Sequence, residues 1–156
     1  MTAGDYQHAL DRTGGQAEPL PDAERWALLQ EWRVVFAAGL HAATGRWKQH
    51  FEWDIFCAGY ARALNGEKAA VAYAAERPAA VIVCPESEEL PAVRLHGGGL
   101  PDFREEVDDV SVWPLDLAWT MAFTHEESIG LGPYFSRREW LLSGPARATG
   151  RRRRRA

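Results

Sequence analysis

The chain has 156 residues, 46% of them apolar, with 7 Trp and 6 Phe. That is enough for one packed domain and excludes a wholly disordered chain. The formal charge of −4 is uneven: six arginines fall in the last ten residues (Arg147 and Arg151 to Arg155), leaving 12 basic against 22 acidic residues in the body, a field unsuited to specific nucleic-acid binding.

No apolar run approaches the roughly 18–20 residues of a membrane span. The opening "MTAGDYQHALDRTGGQ" lacks the basic and apolar regions of a signal peptide. Two cysteines, Cys57 and Cys84, are too few for a secreted disulfide scaffold of this size. These features predict a cytoplasmic protein with buried, reduced thiols.

Residues 1–20 are polar and contain "TGGQAEPLP", which predicts a flexible N-terminal segment. Asp22 reads as an N-cap, and Trp26, Leu29, Trp32, Phe36 and Leu40 recur at helical spacing. A first helix is therefore expected over 22–44, ended by Gly45. In "WKQHFEWDIF" the apolar residues fall on odd positions, which predicts a strand near 50–57. Asn65 then caps an alanine-rich helix that Pro78 ends. Strands follow at 80–84, 92–96, 110–113 and 119–126, with a last short one at Tyr134 and Phe135. The order predicts an α+β domain over 21–142: a mainly antiparallel sheet of five to six strands with two helices on one face. Residues 143–156 read as a disordered arginine-rich tail.

The stretch "WTMAFTHEESIGLGPYF", Trp119 to Phe135, is the densest in the chain. As a strand it sends Trp119, Met121, Phe123 and His125 to one face and Thr120, Ala122, Thr124 and Glu126 to the other. Gly130, Gly132 and Pro133 then supply a turn. Trp119, Thr120, Thr124, His125, Glu126, Gly132, Pro133, Tyr134 and Phe135 together resemble the C-terminal signature of a family of small uncharacterised bacterial proteins, a domain of unknown function. The similarity extends upstream over "FEWDIF" and "GEKAAVAYAA". It implies a small intracellular protein and brings no activity with it.

The candidate catalytic residues are His125, Glu126 and Tyr134 at the hairpin tip, where an imidazole titrating near neutrality meets acid and phenol. Glu127 is placed to swing back towards His125. His96, also at a strand end, approaches His125 if the two strands are neighbours. Trp113 and Trp119 would floor the pocket. With no His-x-x-x-His and no Cys-x-x-Cys, neither metal nor cofactor is predicted. "HGGGLP" (96–101) lacks both the serine elbow of a hydrolase and the Lys-Ser/Thr end of a phosphate loop, and reads as a flexible loop. The acidic run "DFREEVDD" (102–109) with Glu86, Glu88 and Glu89 reads as solvated loops or a surface for a basic partner. Arg151 to Arg155 would bind polyanions only weakly and without sequence preference. The expected function is a non-enzymatic, partner-binding or immunity-like accessory module that docks its partner through the aromatic and acidic surface around the C-terminal hairpin, with Trp113, Trp119, Glu127 and His96 as binding residues. The alternative is a small enzyme built on His125, Glu126 and Tyr134.

Overall fold

A computed structural model describes residues 1–106 and 108–142. The predicted tail, 143–156, lies outside the described residues. Seven strands form one antiparallel sheet: β1 (Gln16–Pro19), β2 (Leu64–Asn65), β3 (Ala80–Pro85), β4 (Val93–His96), β5 (Val110–Pro114), β6 (Trp119–Phe123) and β7 (Tyr134–Arg137), in the order β1-β4-β3-β5-β6-β7-β2. The α+β class holds, and the sheet is larger than the five to six strands expected. Both edges were misread: β1 as part of a linker and β2 as a helix cap.

The helices lie on both faces, not on one. Strand periodicity sends Val81, Val83, Val112, Met121 and Phe123 to one side. There they bury against Tyr6 and Leu10 of α1 (Ala3–Asp11) and Ala69 and Tyr73 of α5 (Glu67–Ala74). The alternate residues Ile82, Cys84, Trp113, Ala122 and Tyr134 bury against α2 (Asp22–Phe36), α3 (Ala38–Thr44) and α4 (Asp54–Cys57). A sixth helix, α6 (Arg138–Leu142), follows β7. The sheet is thus apolar on both faces, and the small face of β6 lies under α2, where Trp32 Nε1 donates to Thr120 Oγ1 at 2.9 Å.

The N-terminal segment is built into the fold rather than flexible. Thr2 and Asp5 form a reciprocal capping box, and Tyr6, Ala9 and Leu10 are buried at helical spacing. The Tyr6 hydroxyl donates to Pro91 O at 2.7 Å, and β1 pairs with β4.

The expected first helix is two. Pro21, not Asp22, sits at the cap position, and Ala37 leaves helical geometry at φ −98°, ψ 10°. Just beyond, a Cβ on Gly39 would stand 2.3 Å from the Tyr60 carbonyl oxygen, so only glycine permits that approach. Gly45 ends α3 in the left-handed conformation, as its position suggested.

The strand expected at 50–57 is a turn and α4. The cause is Asp54, whose carboxylate accepts from the backbone N–H of His50 at 2.9 Å and of Phe51 at 2.8 Å. That local bond competes with any ladder. Of the two thiols expected to be buried, Cys84 is and Cys57 is exposed; both are free.

Candidate functional site

The strand β6 stops at Phe123, opposite Val110, the first residue of β5. The residues just outside that pair are Asp109 on one strand and Thr124 and His125 on the other. Thr124 Oγ1 donates to Leu131 O across the turn, which ends the alternation. A Cβ on Gly132 would lie 2.6 Å from the Thr124 methyl, and its φ is +98°, so this crossing needs glycine. His125 consequently leaves the face of Trp119, Met121 and Phe123, to which it was assigned, and turns towards α4.

There it meets Asp109, only 7% exposed. His125 Nδ1 lies 2.8 and 2.9 Å from the two carboxylate oxygens, and His125 N donates to Oδ1 at 3.0 Å. Trp53 Nε1 donates to the same oxygen at 2.8 Å. One buried carboxylate thus gathers three donors from two distant segments. Its hydrogen bond and charge raise the His125 pKa above the usual 6.5, against a smaller lowering by burial. The ring edge packs on Phe51 (4.9 Å) and Trp53 (6.0 Å), which stack on each other at 5.4 Å. The side chain remains 36% exposed, with Nε2 3.6 Å from Glu126 Oε1.

Of the expected site residues, then, His125 and Glu126 come together, because the strand ends before both. Tyr134 is near but differently used. It is 4% exposed and stacks on Trp53 and Phe56, and among the described residues its hydroxyl has no hydrogen-bond partner. Burial, then the neighbouring Cys57, Glu126 and Asp54, push its pKa to about 12. Glu127 does not swing back to His125; it pairs with Arg104 at 2.6 Å. His96 sits on β4, three places along the sheet order from β6, with Nε2 3.8 Å from Glu18. Trp113 and Trp119 are 1% and 3% exposed and belong to opposite faces of the sheet, so they cannot floor one pocket.

Asp109, Trp53 and Phe51 escaped the sequence reading. Asp109 was hidden in an acidic run that reads as solvent-facing, although Asp108 and Glu106 in that run are also engaged, with the N-terminal amine (3.4 Å) and Arg12 (3.4 Å).

The segment 47–53 has a second side. Between Phe51 and Trp53, Glu52 points into a cleft of about 340 Å³ between α2 and the ends of β3 and β5. Glu52 and Arg33 form a buried pair: Arg33 Nη2 donates to Oε1 at 2.5 Å, and Nε lies 3.2 Å from both oxygens. Lys48 Nζ is 3.1 Å from Glu86, and Glu52 N donates to the same carboxylate. Burial raises the Glu86 pKa, opposed by the Glu52 N–H and Lys48. Arg25 donates to the carbonyls of Leu90, Pro85 and Ser87 at 2.5, 2.6 and 3.1 Å. All three lining cations are therefore engaged. Two lining carboxylates, Asp22 and Glu88, have no ion pair among the described residues. At the mouth stands Trp26, which the sequence placed on the buried face of its helix and which is 57% exposed, with the Arg33 guanidinium 5.2 Å from its ring. Cys84 on the cleft wall is held at a pKa of about 11, chiefly by burial, so it is a neutral thiol near pH 7.

Among the described residues no group of three or more His, Cys, Asp or Glu is placed to hold a metal, and no helix is long and apolar enough to cross a membrane. No family model, curated protein or solved structure matches this chain.

Proposed function

We propose that this chain is a non-enzymatic docking module for a basic segment of a partner protein. The observation that carries the reading is Trp26, a largely exposed indole at the rim of a cleft whose cations are spent internally. Exposed tryptophans beside charged pockets are typical anchors of recognition. Asp22 and Glu88 supply carboxylates with no cation of their own, and the open face of Trp26 suits a Lys or Arg head. The acidic body adds long-range steering. A small acidic module of this kind suits an immunity-like or accessory role. The docking face is α2 and segment 47–53, where Trp26 is exposed; Trp113 and Trp119, expected on a docking surface around the C-terminal hairpin, are core.

The test is fluorescence anisotropy with a labelled octapeptide of alternating Lys and Arg, and an all-Glu counterpart. The basic peptide should bind and the acidic one should not. Trp26→Ala should weaken binding by about tenfold, the usual cost of truncating an aromatic anchor. An affinity indifferent to Trp26→Ala would defeat the proposal, because bulk charge alone would then explain it.

The Asp109-oriented imidazole favours one other reading, a small enzyme with His125 as general base and Glu126 and Tyr134 beside it. His125 lines neither the cleft beside α2 nor the larger cleft along α5, and catalysis needs enclosure. Hydrolysis of p-nitrophenyl acetate that disappears in His125→Gln would favour the enzyme over the docking module.

A further inference from the structure

On the opposite face of the sheet a cleft of about 820 Å³ runs along α5, from Glu67 at one end to Arg77 at the other. The α5 wall alone, eight helical residues at about 1.5 Å each, is roughly 12 Å long, and Arg77 lies just beyond it. Its volume lies in the range of pockets that enclose drug-sized ligands, about 300–1,000 Å³. Val81, Leu95, Met121 and Phe123 line the floor, Ala70 and Ala74 one wall, and the Gly97–Gly99 loop the other.

The walls are fixed before any ligand arrives. Gly99 N donates to Thr13 O at 2.7 Å, and Gly97 N to Ala79 O at 3.2 Å. The Tyr73 hydroxyl ties α5 to Pro101 O at 2.7 Å. The polar groups along the rim are mostly engaged. Arg104 pairs with Glu127 and Glu67, and Glu76 with Arg137. Arg77 differs. Its Nη1 donates to the carbonyls of Ala74 and Glu76 at the end of α5, and it makes no ion pair among the described residues. Nε and Nη2 are left for an outside acceptor. The cleft therefore has an apolar floor, a rim of mostly paired charges, and at one end a guanidinium without an ion pair among the described residues.

We infer that this cleft is a binding site for a slender amphipathic carboxylate, with its hydrocarbon body along Ala70, Ala74 and the sheet and its head on Arg77. A ligand of opposite head charge is less well served: at the Arg77 end it meets a guanidinium, at the far end Glu67 is already held by Arg104, and Asp102, the third lining carboxylate beside Glu67 and Glu76, already accepts from Arg104 N. The inference is independent of the docking face on α2.

The experiment uses decanoate and decyltrimethylammonium as probes on the full chain, below their micellar concentrations. Binding is followed by calorimetry and by amide chemical-shift changes. Decanoate should bind, shifting the amides of Ala70, Ala74 and Gly97–Gly99. Decyltrimethylammonium should bind at least about tenfold more weakly, the scale of a lost charge-assisted hydrogen bond. Ala74→Trp, at an exposed helix position where folding tolerates it, should block decanoate, and Arg77→Glu should reverse the preference between the two heads. Equal affinity for the two probes, shifts confined to another surface, or full decanoate binding by Ala74→Trp would overturn the inference.

Discussion

Asp109→Ala is the perturbation that reads most directly on the hairpin tip. In the native protein the carboxylate is buried and accepts from Trp53 Nε1, His125 N and His125 Nδ1. Truncation leaves the Trp53 indole N–H, itself buried, without its partner, and strips the two His125 donors. An unsatisfied buried donor costs about 1–3 kcal/mol. Half-exposed His125 recovers part of its loss from water, so the expected total is about 2–4 kcal/mol. Urea denaturation measures it as a fall in midpoint at constant slope. Asp109→Asn keeps an acceptor for Trp53 and the backbone but removes the charge, and should cost less. The comparison also fixes a pH signature. The folded-state pKa of His125 is raised, so the ion pair's contribution is complete below the unfolded value of about 6.5 and fades as pH rises through the folded value. The stability gap between wild type and Asp109→Asn should therefore narrow from pH 5.5 to pH 9, and added salt should shrink it at the lower pH. An Asp109→Ala protein within about 0.5 kcal/mol of wild type, the scatter of ordinary surface substitutions, would refute the view that this carboxylate clamps the two segments.

Thr120→Val should cost about 1–3 kcal/mol in chemical denaturation, because the Trp32 indole N–H loses its buried acceptor; alternation alone would have made it a mild change. Glu52→Ala should cost about 3–5 kcal/mol by leaving Arg33 buried without its anion, while Arg33→Met with Glu52→Leu should recover most of that loss. Iodoacetamide at pH 8 should label one thiol per native chain, exposed Cys57, and a second only on denaturation, since Cys84 is buried with a pKa near 11; mass spectrometry reads both numbers.

The interior strands were legible because each carries its own periodic signal. "AVIVC", "AVRLH" and "VSVW" became strands within a residue or two, and the strand expected over 119–126 formed but ends three residues early, at Phe123. What failed were elements whose evidence lies elsewhere in the chain. Edge strand β1 has a weak pattern of its own and exists because β4 offers it a partner. The capping box Thr2–Asp5 and the buried trio Tyr6, Ala9 and Leu10 were readable as a helix and were overlooked in favour of the glycines that follow. At 50–57 a true alternation of apolar and polar residues was overridden by one local acceptor, Asp54. Alternation in β6 left open whether its small residues meet a helix or solvent, and Trp32 of α2, donating to Thr120, decides for the helix.

The site was harder because its bonds join segments 16 and 56 residues apart in sequence. His125 was found by type, but its direction depends on where β6 stops, and the period-two pattern runs on through Thr124 past the real end of the ladder. Once the end is placed, alternation in another segment explains what the histidine does. In 48–53, Lys48 and Glu52 face the charged cleft, while Phe51 and Trp53 face His125. The Asp109 carboxylate holds the second set and thereby aims the first. Glu86, whose backbone N–H donates to Asp109 O at 2.9 Å, receives Lys48 and the Glu52 N–H on its side chain. The histidine pair and the cleft are thus two sides of one strut. On the docking reading His125 is a positioning residue for the wall that faces Trp26, and its exposed Nε2 is a by-product of being anchored through Nδ1.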